Sequence, residues 1–92
     1  MSQDLTEQFQ KAAQEIKTLP KAPSNDDMLR LYALFKQATH GDCTGDRPGL
    51  MDFIGRAKHD AWKAVEGTSR DDAMRRYIAL VHEEVAAQSE GN

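Results

Sequence analysis

The sequence has little of what builds disulfide-rich, membrane-spanning or nucleic-acid-binding proteins. Its one cysteine, Cys43, excludes a disulfide within the chain, which suits a reducing compartment. No apolar run approaches the roughly 20 residues of a membrane-spanning helix, and residues 1–10 lack the apolar core of a signal peptide. The net charge of −3 disfavours general binding to phosphate backbones. We therefore expect a cytoplasmic protein without a nucleic-acid partner and without stable membrane insertion.

Motifs for catalysis or metal binding are also scarce. His40 and Cys43 are near enough in the chain to form a nucleophile and a base, or half of a metal site, but a zinc site needs three or four ligands. The other histidines, His59 and His82, fall on different predicted helices, and His82 does not begin an H-E-x-x-H motif. No glycine-rich phosphate-binding motif is present. The sequence therefore predicts a protein that is not an enzyme and holds no metal or cofactor.

Helical periodicity is the main positive signal, and no segment alternates in the manner of a β-strand. Apolar residues recur three or four positions apart in four segments separated by prolines, glycines and capping residues. The predicted helices cover residues 5–19, 24–39, 50–67 and 69–87, and residues 88–92 are expected to fray. The third helix is expected to pack through an apolar stripe comprising Leu50, Phe53, Ile54, Ala57, Ala61 and Val65. Ninety-two residues suffice for one domain, spanning 1–92 with its core at about 5–87.

Tyr32 and Lys36 form a candidate ligand-binding pair on the second predicted helix. Because they are four residues apart, their side chains share one helical face and place an aromatic hydroxyl beside a positive charge. Such a pair suits an anionic ligand that carries a ring. On an exposed helix the same pair is more often merely solvated, so its meaning depends on the residues around it.

Six short blocks closely resemble the acyl-CoA-binding protein family in their order and spacing, and the similarity covers about residues 9–85. The blocks are Lys36-Gln37-Ala38-Thr39 with Gly41-Asp42, Arg47-Pro48-Gly49, Asp52-Phe53, Ala57-Lys58, Asp60-Ala61-Trp62, and Gly67-Thr68-Ser69. The resemblance implies an all-α, four-helix up-down-down-up bundle that is a monomer by default. It also implies non-covalent binding of long-chain fatty acyl-CoA thioesters, as an intracellular carrier and pool former.

The same resemblance implies which residues contact the ligand. The implied ligand site is a bowl formed by the helices. The polar residues at the CoA head group and at the rim of this bowl are Lys17, Tyr32, Lys36, Lys58 and Tyr77. The apolar residues beside the acyl chain are Met28, Leu29 and Leu31. Phe35 belongs to the site at a position where a second tyrosine is common, and His59 replaces the first tryptophan of a usual Trp-x-x-Trp pair.

The alternative hypothesis is a helical protein-interaction module without a small-molecule ligand. In that case the groove bearing methionine and leucine side chains would receive a partner helix. Under the carrier hypothesis, transient contacts with membranes or with acyl-CoA-using enzymes are the expected partners besides the ligand. A saturable response to the thioester alone would separate the two hypotheses.

Overall fold

Four α-helices form the framework of the computed structural model, which describes residues 2–90 and the side chains of residues 4–89. They are α1 (Ser2–Glu15), α2 (Asn25–Thr39), α3 (Phe53–Ala64) and α4 (Arg70–Glu90), with a short 3-10 turn, Ile16–Thr18, directly after α1. Among residues 2–90 no β-strand occurs. The predicted all-α class is therefore confirmed. Within the same residues, no helix combines the length and apolar character needed to cross a bilayer.

Local capping residues set the starts of α2 and α4. The Ser24 hydroxyl accepts a hydrogen bond from the Asp27 backbone N–H at 3.2 Å, and the Ser69 hydroxyl accepts one from Asp72 at 3.1 Å. Each bond satisfies a backbone donor that the first turn of a helix leaves without an intrahelical partner. Both helices consequently begin where the sequence predicts.

The start of α3 differs from the prediction. The helix begins at Phe53 because the Asp52 carboxylate caps it, accepting from the Gly55 backbone N–H at 2.9 Å. Leu50 precedes the helix, and the expectation that Leu50, Phe53 and Ile54 pack in the core is wrong, since all three are more than 70% exposed. The reason is that α3 packs against α2 and no other helix of the described chain, so only one side of it is covered.

The end of α4 also departs from the prediction. The helix continues to Glu90, although the sequence predicts loss of regular structure from Gln88. The Gln88 side-chain amide donates to the Lys21 carbonyl at 2.6 Å, and the Lys21 N–H donates to the same amide's oxygen at 3.2 Å. This pair anchors the last turns of α4 to the segment after α1. Residues 91 and 92 of the expected frayed tail lie outside the described residues.

Contacts between the helices define their directions. The Lys21–Gln88 pair joins the end of α1 to the end of α4, so these helices run parallel. The Gln37 side chain, near the end of α2, donates to the Thr68 carbonyl just before α4, so α2 and α4 are antiparallel. The α2 and α3 helices are parallel, as the ring contacts described below establish. The up-down-down-up topology is therefore confirmed.

One side of the molecule is packed and the other is open. The buried core joins α1, α2 and α4, while α3 contributes the buried Trp62. In the described chain no Cα atom of α1 lies within 8 Å of a Cα atom of α2, even though both helices pack against α4. The molecule is consequently a shallow bowl of 40 × 34 × 16 Å, with a hollow between α1 and α2.

Candidate functional site

A cavity of about 760 Å³ occupies the hollow between α1, the segment that follows it, and α2. Its size falls within the about 300–1,000 Å³ that is usual for small-molecule sites. The walls are largely apolar and carry a few polar groups at the edge. The apolar side chains include Phe9, Ile16, Met28, Leu31 and Phe35. Such a cavity can accept a hydrocarbon chain while leaving one end of the ligand in water.

Three aromatic rings from three helices line this cavity. The Phe9 ring stacks on Phe35 at 5.5 Å between centroids and meets the edge of Tyr77 at 5.0 Å. The Phe35 and Tyr77 rings are 5.9 Å apart. Burial raises the pKa of Tyr77, so its phenol stays neutral at physiological pH. The rings therefore provide a fixed, uncharged surface, and the exposed part of Phe35 is free to contact a ligand.

The interface between α2 and α3 carries two cation–ring contacts at matching positions. The Lys58 ammonium lies 5.3 Å from the centre of the Tyr32 ring, and the Lys36 ammonium lies 4.9 Å from the centre of the Trp62 ring. Lys36 follows Tyr32 by one turn of α2, and Trp62, which Lys36 contacts, follows Lys58 by one turn of α3. Moving from the first contact to the second therefore goes toward the C-terminal end of both helices. This pairing makes α2 and α3 parallel and places Lys36 and Lys58 on one face of the molecule.

The candidate residues from the sequence fall into three groups in space. Six of them line the cavity: Lys17, Met28, Leu31, Tyr32, Phe35 and Tyr77. Lys58 reaches the cavity's rim through its contact with Tyr32, whereas Lys36 is directed at Trp62 and does not line the cavity. Leu29 is half-buried and is not among the lining residues. The role of each residue toward a ligand stays a prediction.

The wall contributed by α1 and its following segment is a feature that the sequence analysis missed. Periodicity assigns Phe9, Ile16 and Leu19 to an ordinary core face, but all three line the cavity. Only Phe9 of the three is fully buried. The sequence held no signal for this, because the helix predicted over residues 5–19 includes all three residues. In the structure α1 ends at Glu15, so Ile16 and Leu19 lie in the segment after it.

The long loop before α3 is fastened to that helix by an ion pair. The Arg47 guanidinium donates two hydrogen bonds to Asp60, at 2.9 and 2.7 Å. These bonds lower the pKa of Asp60 below its usual value. His59, which replaces the usual tryptophan, is mostly enclosed, and its Nε2 lies 3.3 Å from the Gly45 carbonyl. The loop is thereby fastened to α3 at His59 and Asp60, the two residues that follow Lys58.

A second set of hydrogen bonds joins this loop to α2 and α4. The buried Gln37 side chain donates to Asp42 and to the Thr68 carbonyl, each at 2.8 Å. Asp42 also accepts from the Gly67 backbone N–H at 2.8 Å, and this bond first, then that from Gln37, lowers the pKa of Asp42. These bonds join the start of the loop, the end of α2 and the turn before α4 at one point.

The residues considered for catalysis make other contacts. The His40 and Trp62 rings form a T-shaped contact with 5.3 Å between centroids, and the Cys43 thiol lies 3.9 Å from the His59 carbonyl oxygen. Among the described residues, no group of three or more histidine, cysteine, aspartate or glutamate side chains is arranged to hold a metal ion. The geometry thus gives no support to a metal site built on His40 and Cys43.

Comparisons with known proteins found a matching family model and similar sequences. Residues 6–81 match the family model described as acyl CoA binding protein. The chain is 51% identical over 82 residues to acyl-CoA-binding protein homolog 1 of Caenorhabditis elegans, covering 89% of this chain and 95% of that protein. It is 54% identical over 77 residues to the acyl-CoA-binding protein of Gossypium hirsutum, covering 84% and 86%.

Similarity to solved structures extends over nearly the whole fold. The crystal structure of Oryza sativa acyl-CoA-binding protein 2 is similar with a TM-score of 0.92 and 48% identity, covering 96% of both chains. The crystal structure of the protein from Moniliophthora perniciosa has a TM-score of 0.85 and 45% identity, covering 90% of this chain and 82% of that one. The residues that line the cavity and those that form the α2–α3 ring contacts lie within residues 6–81, which the family model matches.

Proposed function

The chain belongs to the acyl-CoA-binding protein family, and from this premise we propose that it binds long-chain fatty acyl-CoA thioesters non-covalently. Its role is that of an intracellular carrier and pool former. The observation that carries the proposal is the combination of an apolar cavity with lysine and tyrosine side chains at one edge. Each half of the ligand then meets surface of matching chemistry.

The acyl chain lies in the cavity between α1 and α2 in this proposal. The rings of Phe9, Phe35 and Tyr77, with Met28 and Leu31, supply its apolar surface. Each buried methylene contributes about 0.8 kcal/mol, so ten methylenes would contribute roughly 8 kcal/mol before the costs of ordering the chain. Affinity is therefore expected to rise with chain length until the cavity is filled.

The CoA head group is proposed to lie at the rim formed by α2 and α3. Its phosphates need cationic partners, and Lys36 and Lys58 supply ammonium groups from neighbouring helices, while Lys17 lies on the opposite wall. Tyr32 can stack on adenine and donate its hydroxyl to phosphate. A charge-assisted hydrogen bond contributes about 1.5–3 kcal/mol. Because binding uses both ends, neither free CoA nor a free fatty acid should replace the thioester.

The proposal includes no chemical step and no cofactor besides the ligand. The protein is proposed to act as a cytoplasmic monomer with one acyl-CoA-binding domain over residues 1–92, making transient contacts with membranes or acyl-CoA-using enzymes. Support for a carrier comes from the family, and from the engagement of His40 and Cys43 in packing. Prolonged incubation with palmitoyl-CoA should release no free CoA, and steady release would contradict this part of the proposal.

Isothermal titration calorimetry tests the binding directly. Palmitoyl-CoA, CoA and palmitate are titrated separately, below the concentration at which the amphiphiles form micelles. The proposal predicts saturable one-to-one binding of palmitoyl-CoA, with much weaker or undetectable responses to the other two. No response to any of the three would favour the protein-interaction module instead.

A further inference from the structure

The start of α3 carries four large apolar side chains that neither the core nor the cavity uses. Leu50 is 73% exposed, Met51 88%, Phe53 74% and Ile54 71%. We call these four residues the α3 tip. Soluble monomers rarely expose several large apolar side chains side by side, and contiguous exposed apolar surface of this kind marks sites that contact proteins or membranes. We propose that the α3 tip docks into the interfacial region of an anionic lipid bilayer. This inference rests on the membrane contacts of the proposed function, to which it assigns a surface and a lipid class, and it does not depend on the ligand binding.

The shape of the α3 tip favours lipid over a rigid protein partner. Leu50 and Met51 lie in the turn before the helix, and Phe53 and Ile54 lie in its first turn. Successive helical residues point about 100° apart, so the four side chains spread in several directions instead of forming one stripe for a partner helix. A deformable medium can surround such a projection. Asp52, in the middle, directs its carboxylate to the Gly55 backbone N–H.

A second copy of the chain fits the patch less well. A stable interface buries about 800 Å² per partner, to which about 20–30 residues contribute, so the four residues of the α3 tip would need much of their surroundings to form one. The surrounding helix surface adds mainly charged groups, namely Arg56, Lys58 and Asp60. A bilayer does not need a large complementary area, because apolar side chains partition into it individually.

The charges around the α3 tip match an anionic surface. Residues 47–63 contain four of the twelve basic residues of the chain but only two of its fifteen acidic residues. Asp52 is engaged as the helix cap, and Asp60 and Arg47 engage each other. Arg56, Lys58 and Lys63 are the basic residues that remain. The remainder of the chain is strongly acidic and would be repelled by anionic lipid. Charge and apolar surface therefore favour the same orientation, with the α3 tip toward the bilayer.

This orientation places the cavity's rim near the lipid. Ile54 precedes Lys58 by one turn on the same side of α3, and the Lys58 ammonium lies over Tyr32, which lines the cavity. A chain docked through the α3 tip would thus hold the open edge of its cavity close to the bilayer. An amphiphile could pass between the two with little of its apolar chain in water.

Vesicle flotation without any acyl-CoA tests the proposal. The full chain is mixed with vesicles of phosphatidylcholine and phosphatidylserine in a two-to-one ratio, or with phosphatidylcholine alone. It should float with the anionic vesicles at low ionic strength, and much less with the neutral ones. The double variant Met51→Gln/Phe53→Gln should bind the anionic vesicles at least about tenfold more weakly, since binding scales with buried apolar area.

Matched variants separate the α3 tip from general effects. Ala79→Gln/Ala86→Gln places the same side chains at exposed positions of α4 and should leave flotation unchanged. Arg56→Gln, in the first turn of α3 beside the tip, should weaken binding, whereas Lys11→Gln, on α1, should not. If the double variant loses helical circular dichroism, Leu50→Gln is used in its place, because Leu50 lies outside the helix. This variant should also bind the anionic vesicles more weakly.

Several results would overturn the proposal. One is that the full chain fails to float with anionic vesicles. The other is that the folded tip variants bind these vesicles as strongly as the unchanged chain does. A concentration-dependent dimer in sedimentation that the tip variant abolishes, together with no vesicle binding, would assign the surface to a second copy instead. Calorimetry with palmitoyl-CoA reads out the proposed carrier function separately, so failure of one leaves the other measurable.

Discussion

Replacing Trp62 by phenylalanine should destabilise the fold at the point where the loop before α3 meets α2. The Trp62 ring is 7% exposed, its Nε1–H donates to the Gly41 carbonyl at 2.8 Å, and the Lys36 ammonium lies over its face. Phenylalanine keeps an aromatic ring but has no donor. The Gly41 carbonyl would then lose its partner in a partly buried position.

The expected cost follows from these contacts. A partly buried carbonyl left without its hydrogen bond costs about 1–3 kcal/mol, and the smaller ring adds roughly 1 kcal/mol in lost packing and weaker attraction for Lys36. We therefore expect a loss of about 2–4 kcal/mol in the free energy of unfolding. For a domain of this size that corresponds to a fall in Tm of about 8–30 °C.

Urea unfolding followed by far-UV circular dichroism measures this loss without relying on tryptophan fluorescence. Phe53→Ala is the matched control, because it truncates an aromatic side chain on the same helix that is 74% exposed. The control should change the free energy of unfolding by less than about 0.5 kcal/mol. Equal effects of the two substitutions would refute the reasoning about the Trp62 contacts.

Three further predictions concern charge. Lys36→Ala should weaken palmitoyl-CoA binding in calorimetry by at least about 1.5 kcal/mol while leaving the helical circular dichroism unchanged. Unchanged affinity, or an equal loss of affinity in the control Lys11→Ala, would count against the head-group site. Because the pKa of Asp42 is lowered in the fold, its contribution to stability is present above the pKa of the unfolded state and is lost as pH falls through the folded pKa. Asp42→Asn should therefore make the Tm fall less steeply with decreasing pH. The same fall of Tm in the variant and the natural chain would contradict this. A hydrogen bond with the neighbouring Asp27 carboxyl raises the pKa of Glu84, so the stability that its protonated form contributes is lost as pH rises through that pKa. Glu84→Gln should therefore raise the Tm at neutral pH. An unchanged or lower Tm would be evidence against this coupling.

Much of the fold follows from local sequence signals. Ser24 and Ser69 start their helices through bonds to residues three positions later, and contacts of that range can be inferred from sequence. The directions of the helices are different, because periodicity identifies an apolar face without indicating which neighbour covers it. The up-down-down-up order was available only through the family resemblance.

The same limit explains the errors at α3. Leu50, Phe53 and Ile54 have helical spacing, but α3 has a single neighbouring helix, so spacing could not reveal their exposure. In the candidate site, the position of Lys36 over Trp62 depends on the parallel register of α2 and α3, which is a tertiary property. Phe9 has the helical spacing of a core residue and is buried, but its second role as a wall of the cavity requires knowing that α1 and α2 diverge.

The most direct test of the central claim is an isotope-filtered nuclear Overhauser measurement on the complex with palmitoyl-CoA. The account predicts contacts from the chain methylenes to the rings of Phe9, Phe35 and Tyr77, and from the adenine protons to Tyr32 and Lys58. An acyl chain that contacts residues outside the α1–α2 cavity, or an adenine ring remote from the α2–α3 rim, would contradict it.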